Sequence, residues 1–164
     1  VAAQSATVAA IRALPVEADR AMLDSARGLL GKMRGAIALQ ELHKALADWM
    51  EVVVQANQYI DAQAPWTLKK TDPKRMETVL YVLAEVLRQL GALIQPFMPD
   101  SAAKLLAQLG VAEQDRLFAR LGEAGALKPG AALPAPAGIF PRFVDPAEEA
   151  MPAKGKNPPK AAKR

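Results

Sequence analysis

The sequence predicts an all-α helical bundle of about four to five helices, on three observations. Apolar residues recur at steps of three and four over several long stretches, no stretch alternates with a period of two, and prolines fall where helices would start or stop. At 164 residues the chain is long enough to bury a core of this kind, and with no cysteine it must do so without disulfides.

From Val16 to Met33, the residues Met22, Leu23, Ala26, Leu29, Leu30 and Met33 mark one face of an amphipathic helix, with Gly31 and Gly35 weakening its end. A second helix is expected from near Ile37, because Leu42, Leu46, Trp49, Val53, Ala56 and Ile60 alternate steps of four and three. A stripe this narrow suits a bundle seam. Pro65 stops that helix, since it lacks a backbone N–H and pushes Ala64 out of the helical region. Thr71-Asp72-Pro73 is a start signal, a side-chain cap followed by a proline suited to the first turn. The helix after it carries Met76, Val79, Leu80, Leu83, Val86, Leu87, Leu90 and Ile94, a wide stripe that implies neighbours on two sides, and Pro96 ends it. Pro99, Asp100 and Ser101 open another, with Leu105, Leu106 and Leu109 and a stop at Gly110.

Regularity then fades. One short helix is expected within Glu113 to Gly122, followed by an irregular stretch rich in proline, glycine and alanine from Lys128 to Pro146. Ile139, Phe140 and Phe143 are too apolar for a free linker and are expected to dock that stretch onto the bundle. The domain plan is therefore the end of a truncated preceding helix and a linker over 1–15, the bundle with its docked segment over 16–145, and a disordered basic tail over 146–164. The chain opens on Val1 with helix-like residues, so it reads as a piece of a longer polypeptide.

Charge and residue inventory exclude several functions. The net charge is +4, but Lys154, Lys156, Lys160, Lys163 and Arg164 supply five positive charges with no acid, which leaves residues 1–150 at −1. A broad basic face for coating nucleic acid is therefore not expected, although a local cluster can still hold a few phosphates. No run is apolar enough to cross a membrane. With one histidine, His43, and no cysteine, neither a cysteine nucleophile nor a zinc site is expected, and cysteine-free composition fits a reducing cytosol. His43 is expected on the surface, Trp49 in the seam, and Tyr59 in the core or as a buried hydroxyl anchor.

Trp66 is the residue on which function turns. Placed just past a helix end, its flat face is either a plug that seals the terminus or a platform for something flat. Asp61, five residues earlier, is either a solvated helix residue or an acceptor for a base amine. Asn57 either ties the helix end to a loop or reaches toward a ligand. Lys69 and Lys70 are ordinary surface charges or partners for phosphates that the negative end of the helix dipole would otherwise repel. Arg142 is expected to pair with an acid on the bundle.

The run Ala56-Asn57-Gln58-Tyr59-Ile60-Asp61, then Ala64-Pro65-Trp66, Val79-Leu80-Tyr81, Gln95-Pro96-Phe97-Met98-Pro99, Leu109-Gly110 and Ile139-Phe140-Pro141-Arg142 resembles the C-terminal anticodon-binding domain of class I aminoacyl-tRNA synthetases, most closely the methionyl-tRNA synthetase family. Ala-Pro-Trp after a helix is shared by several class I members; the ordered set over residues 16 to 145 narrows the resemblance to the methionine enzymes.

The resemblance implies a helical bundle that recognises the CAU anticodon of methionine tRNA. Trp66 would stack on the first anticodon base, Asp61 and Pro65 would belong to the same pocket, and an asparagine and an arginine of the family's site would fall on a helix before Val1. It further implies a cytoplasmic ligase whose catalytic domain, on the same polypeptide, uses ATP with magnesium; its nucleotide-binding motifs are not in these 164 residues. The partners implied are tRNA and that domain, with neither DNA nor a membrane. Single-stranded RNA is read by aromatic stacking plus hydrogen bonds to base edges, which suits an exposed tryptophan beside an acid. Two rivals stand beside this reading: the anticodon domain of another class I synthetase, and a non-catalytic helical scaffold that binds a protein.

Overall fold

The computed structural model describes residues 17–140. Expectations for the segment before Glu17 and for Pro141, Arg142, Phe143 and the basic tail lie outside the described residues. Five α-helices follow in order, α1 (Glu17–Ala38), α2 (Leu42–Gln63), α3 (Pro65–Thr71), α4 (Pro73–Ile94) and α5 (Pro99–Gln108), and no strand occurs among the described residues. The three long helices form the body. α4 touches all the others, with α1 and α2 on one side, α3 across its first turns and α5 against its last. α4 has the neighbours on two sides expected of it, but Leu80 and Leu87 of the expected stripe are 47% and 40% exposed, and Val82, Gln89 and Leu93 are buried instead.

α1 runs through Gly31 and Gly35 to Ala38, further than expected. Both glycines face solvent, and each costs about 1 kcal/mol of helix propensity. Burial of Met33 and Ala36 on the opposite face outweighs that cost. The stop comes instead at Gln40, in the left-handed region at φ 63°, with Gln40 N–H donating to Ile37 O and Glu41 N–H to Ala36 O, both at 2.9 Å. This pair of bonds is a Schellman cap, made here without glycine. Consequently α2 begins at Leu42 rather than near Ile37.

The α2 seam is also rotated. Ala45, Val52, Ala56 and Tyr59 are the buried positions, with Trp49 half-buried among them, whereas Leu42 is 53% exposed. The small Ala45 lets helices approach closely, so it takes the contact line and the larger Leu46, Val53 and Ile60 flank it. Trp49 packs against the core as expected and donates from Nε1 to Leu90 O at 3.0 Å. His43 is exposed.

Asp72 caps α4, accepting from Arg75 N–H at 3.1 Å, and Pro73 occupies the first turn. At the far end Gly91 allows α5 to sit close: a Cβ there would lie 3.1 Å from Leu105 Cδ2 and 3.2 Å from Leu106 Cδ2. α5 closes with Gly110 at φ 71°, a left-handed position suited to glycine.

Beyond Gly110 the expected short helix is absent. Three single 3₁₀ turns take its place, at Glu113–Asp115, Phe118–Arg120 and Glu123–Gly125. Polar side chains of α4, and Gln95 just past its end, fasten this segment. Arg88 donates to Arg120 O and Gly122 O, each at 3.2 Å, Gln95 donates to Arg116 O at 2.9 Å, Tyr81 donates to Leu127 O at 3.1 Å, and Glu85 accepts from Leu127 N–H at 3.1 Å. A backbone whose carbonyls are taken up this way has no need of its own helical ladder. Phe140, expected to dock the later stretch, is instead 70% exposed, and Ile139 is only partly covered. The contact made there is polar, Gln108 Nε2 donating to Ala137 O at 2.6 Å.

Candidate nucleic-acid interface

The site is a corner between two helices. α2 ends on Ala64 in the left-handed region, φ 44° and ψ 61°, with Ala64 N–H donating to Ile60 O at 2.9 Å. The same residue starts α3, because its carbonyl accepts from Thr67 N–H at 2.8 Å and Leu68 N–H at 3.2 Å. Pro65 makes this possible: it denies Ala64 a right-handed helical conformation and then supplies its fixed φ to the first position of the new helix. The sequence predicts the break but not the seven-residue helix that resumes at once. Trp66 thus stands on the second position of α3, not on a loop.

Pro65 is buried beneath the corner, and Trp66 is 59% exposed. A large aromatic that open to solvent is not plugging a helix end. Asn57 and Asp61, one helical turn apart on α2, are both exposed and share one stripe of its surface. Lys69 and Lys70 lie in the last turn of α3 and are exposed, where positive charge also complements the helix dipole. Lys74, exposed in the first turn of α4, adds a cation at the same end of the bundle. Among the described residues no group of three or more His, Cys, Asp or Glu is placed to hold a metal ion.

Under the corner lies a network that the sequence reading missed. Asp19 in the first turn of α1 is fully buried and accepts Tyr59 Oη–H at 2.6 Å. It also takes two bonds from Arg75, at 2.5 and 2.7 Å, and the same guanidinium donates to Gln63 Oε1 at 2.6 Å. Four residues from α1, α2 and α4 are tied at the point where α2 turns into α3. One signal was available: Asp19 falls in register with Met22, Ala26, Leu29, Met33 and Ala36, so an acid occupies a core position and must find a buried partner. Tyr59 is the buried hydroxyl anchor expected.

Burial, and next the hydrogen bond to Asp19, push the Tyr59 hydroxyl above its ordinary value of 10.0. Arg75 is raised too, chiefly by its bonds to Asp19. The fold therefore holds the neutral phenol. A raised folded-state value means that the stability Tyr59 contributes is complete below pH 10 and is lost as pH rises beyond it. Tyr59→Phe should cost about 1 to 2 kcal/mol at neutral pH. The gap between wild type and variant, measured by urea unfolding from about pH 8 to pH 11, should close toward the alkaline end. A gap that widens with pH would contradict the assignment.

A bundle whose end carries one open indole on a polar-braced corner, flanked by exposed cations, belongs to the class of all-α recognition modules. The family model described as the anticodon binding domain of methionyl tRNA ligase matches residues 12–156, and the chain belongs to that family. The methionine–tRNA ligase of Rhizobium meliloti strain 1021 is 52% identical over 128 residues, a match spanning 78% of this chain and 25% of that protein. The corresponding ligase of Mycobacterium tuberculosis strain H37Rv is 45% identical over 145 residues, spanning 85% of this chain and 27% of that protein. The crystal structure of free-state Mycobacterium tuberculosis methionyl-tRNA synthetase superposes with a TM-score of 0.76 at 44% identity, covering 81% of this chain and 27% of that one. The chain thus spans about a quarter of the length of these relatives.

Proposed function

We propose that this chain holds the CAU anticodon of methionine tRNA in a cytoplasmic methionine–tRNA ligase, while a catalytic domain of the same polypeptide joins methionine to the tRNA using ATP and magnesium. The observation that carries the reading is Trp66, 59% exposed on a corner fixed from beneath. Its ring offers the first anticodon base a stacking face. Asp61 accepts the exocyclic amine of that cytosine, Asn57 lies one turn further along the same stripe, and buried Pro65 acts by setting the angle of the corner. Lys69 and Lys70 neutralise the accompanying phosphates. By fixing one end of the tRNA, these contacts orient its acceptor end toward a distant active site.

Trp66→Ala in the full-length ligase is expected to weaken aminoacylation of methionine tRNA about 10- to 100-fold, the worth of one stacked base. Melting temperature should stay nearly unchanged, because the ring covers little of the core. A large drop in melting temperature with no effect on tRNA would return the residue to a structural role. Equal affinity of the full-length protein for methionine tRNA and for an anticodon-altered tRNA would overturn anticodon reading itself.

A further inference from the structure

The corner that presents Trp66 has a left-handed alanine at its apex, a conformation that an L side chain with a Cβ adopts only when neighbours hold it there. The bond from Ala64 N–H back to Ile60 O holds it from the α2 side. On the other side stands Gln63, the last residue of α2, whose Oε1 accepts from Arg75 at 2.6 Å. Arg75 cannot swing to follow a moving Gln63, since its other bonds go to both oxygens of the fully buried Asp19. Gln63 is three residues from Trp66, with one rigid proline between the apex and the ring.

We infer that Gln63 is a positioning residue for anticodon binding: clamped by the Asp19-anchored Arg75, it fixes the α2–α3 corner and so the plane in which Trp66 is offered to a base. The inference rests on the anticodon reading above. Gln63 touches no base in this arrangement. It acts by removing freedom from the corner before RNA arrives, so that ordering is not charged against binding. Arg75 is the intermediary, and Asp19 with Tyr59 forms the fixed end.

The experiment compares Gln63→Ala and Gln63→Glu with wild type in the full-length ligase, by hydrogen exchange and by binding of methionine tRNA. Gln63→Ala leaves the Asp19–Arg75 pair in place, so melting temperature should fall only slightly, and exchange in α1 should quicken by no more than that one bond is worth. Exchange of the amides of Ala64, Thr67 and Leu68 should quicken about 10-fold, as loss of one hydrogen bond to a charged group implies. Affinity for methionine tRNA should fall about 3- to 10-fold, less than the loss of the stacked base itself. Gln63→Glu keeps an acceptor for Arg75 and should restore slow exchange at the corner, which a generic helix-end effect would not. Unchanged exchange in Gln63→Ala, or failure of Gln63→Glu to restore it, overturns the clamp. Corner exchange that quickens while tRNA affinity stays put overturns the positioning role. Trp66→Ala, run in parallel, separates the two readings: if it leaves tRNA binding intact, anticodon reading has failed, and the exchange data still decide whether Gln63 holds the corner.

Discussion

Asp19→Ala is expected to remove about 3 to 5 kcal/mol of folding stability, the usual cost of taking one partner from a buried ion pair. The carboxylate is fully buried, and it is the acceptor for two bonds from Arg75 and one from Tyr59. Without it a guanidinium whose side chain is only 17% exposed keeps Gln63 as its remaining side-chain acceptor, and the Tyr59 hydroxyl faces a cavity. Most of the loss is therefore the cost of charge and donors left behind, not the worth of the pair. That distinction can be tested. Replacing the three groups together, as Asp19→Leu, Tyr59→Phe and Arg75→Met, removes the stranded donors and should recover at least about 2 kcal/mol of what the single change loses. Urea unfolding of the single and triple variants decides the matter. A triple variant weaker than the single one would mean that the network stabilises by attraction after all.

Such a network shows where sequence reading stops. Periodicity of apolar residues located all three long helices, because the 3.6-residue repeat is a local property and each stripe spans several turns. Boundaries set by a side chain were equally legible, as with Asp72 and Pro73 at the start of α4. Boundaries set by the backbone alone were not. Gln40 adopts a left-handed cap that nothing in its identity announces, so the sequence does not show that α2 begins only at Leu42. The seam of α2 is hidden for a related reason: apolar character alone does not show which residue lies on the contact line, and the small Ala45 is fully buried while Leu42 is 53% exposed. In the site, Trp66, Asp61, Lys69 and Lys70 are all exposed, but Trp66 stands on a short helix that the sequence does not announce. What the sequence could not supply is Gln63 and Arg75, twelve residues apart in the chain and joined only by the fold. The expected docking of the late segment fails in the same way, since apolar content points to Phe140 while the contact made there is polar, from Gln108 of α5 to Ala137 O.

Glu85→Ala is the change expected to separate that segment from the bundle. The Glu85 carboxylate is buried in mid-helix and accepts from Arg88 at 2.6 and 2.9 Å, from Gln89 Nε2 at 3.1 Å and from Leu127 N–H at 3.1 Å. Arg88, whose side chain is 1% exposed, owes its orientation to this pairing and then reaches the carbonyls of Arg120 and Gly122. Removing the acid leaves a buried cation with neutral acceptors only, at a cost of about 3 to 5 kcal/mol. The loss need not be shared evenly, because α4 is held by its apolar face against α1 and α2, whereas the three 3₁₀ turns have few apolar anchors of their own. Hydrogen exchange should therefore rise first and most in residues 113–127, with α1 and α2 protected until global unfolding. Glu85→Gln, which keeps one acceptor oxygen but not the charge, should fall between the two. If Glu85→Ala instead exposes α1 and α2 as early as the 3₁₀ turns, the segment is part of one cooperative unit with the bundle, and the Glu85–Arg88 pair is a core element and not a fastening for the three turns.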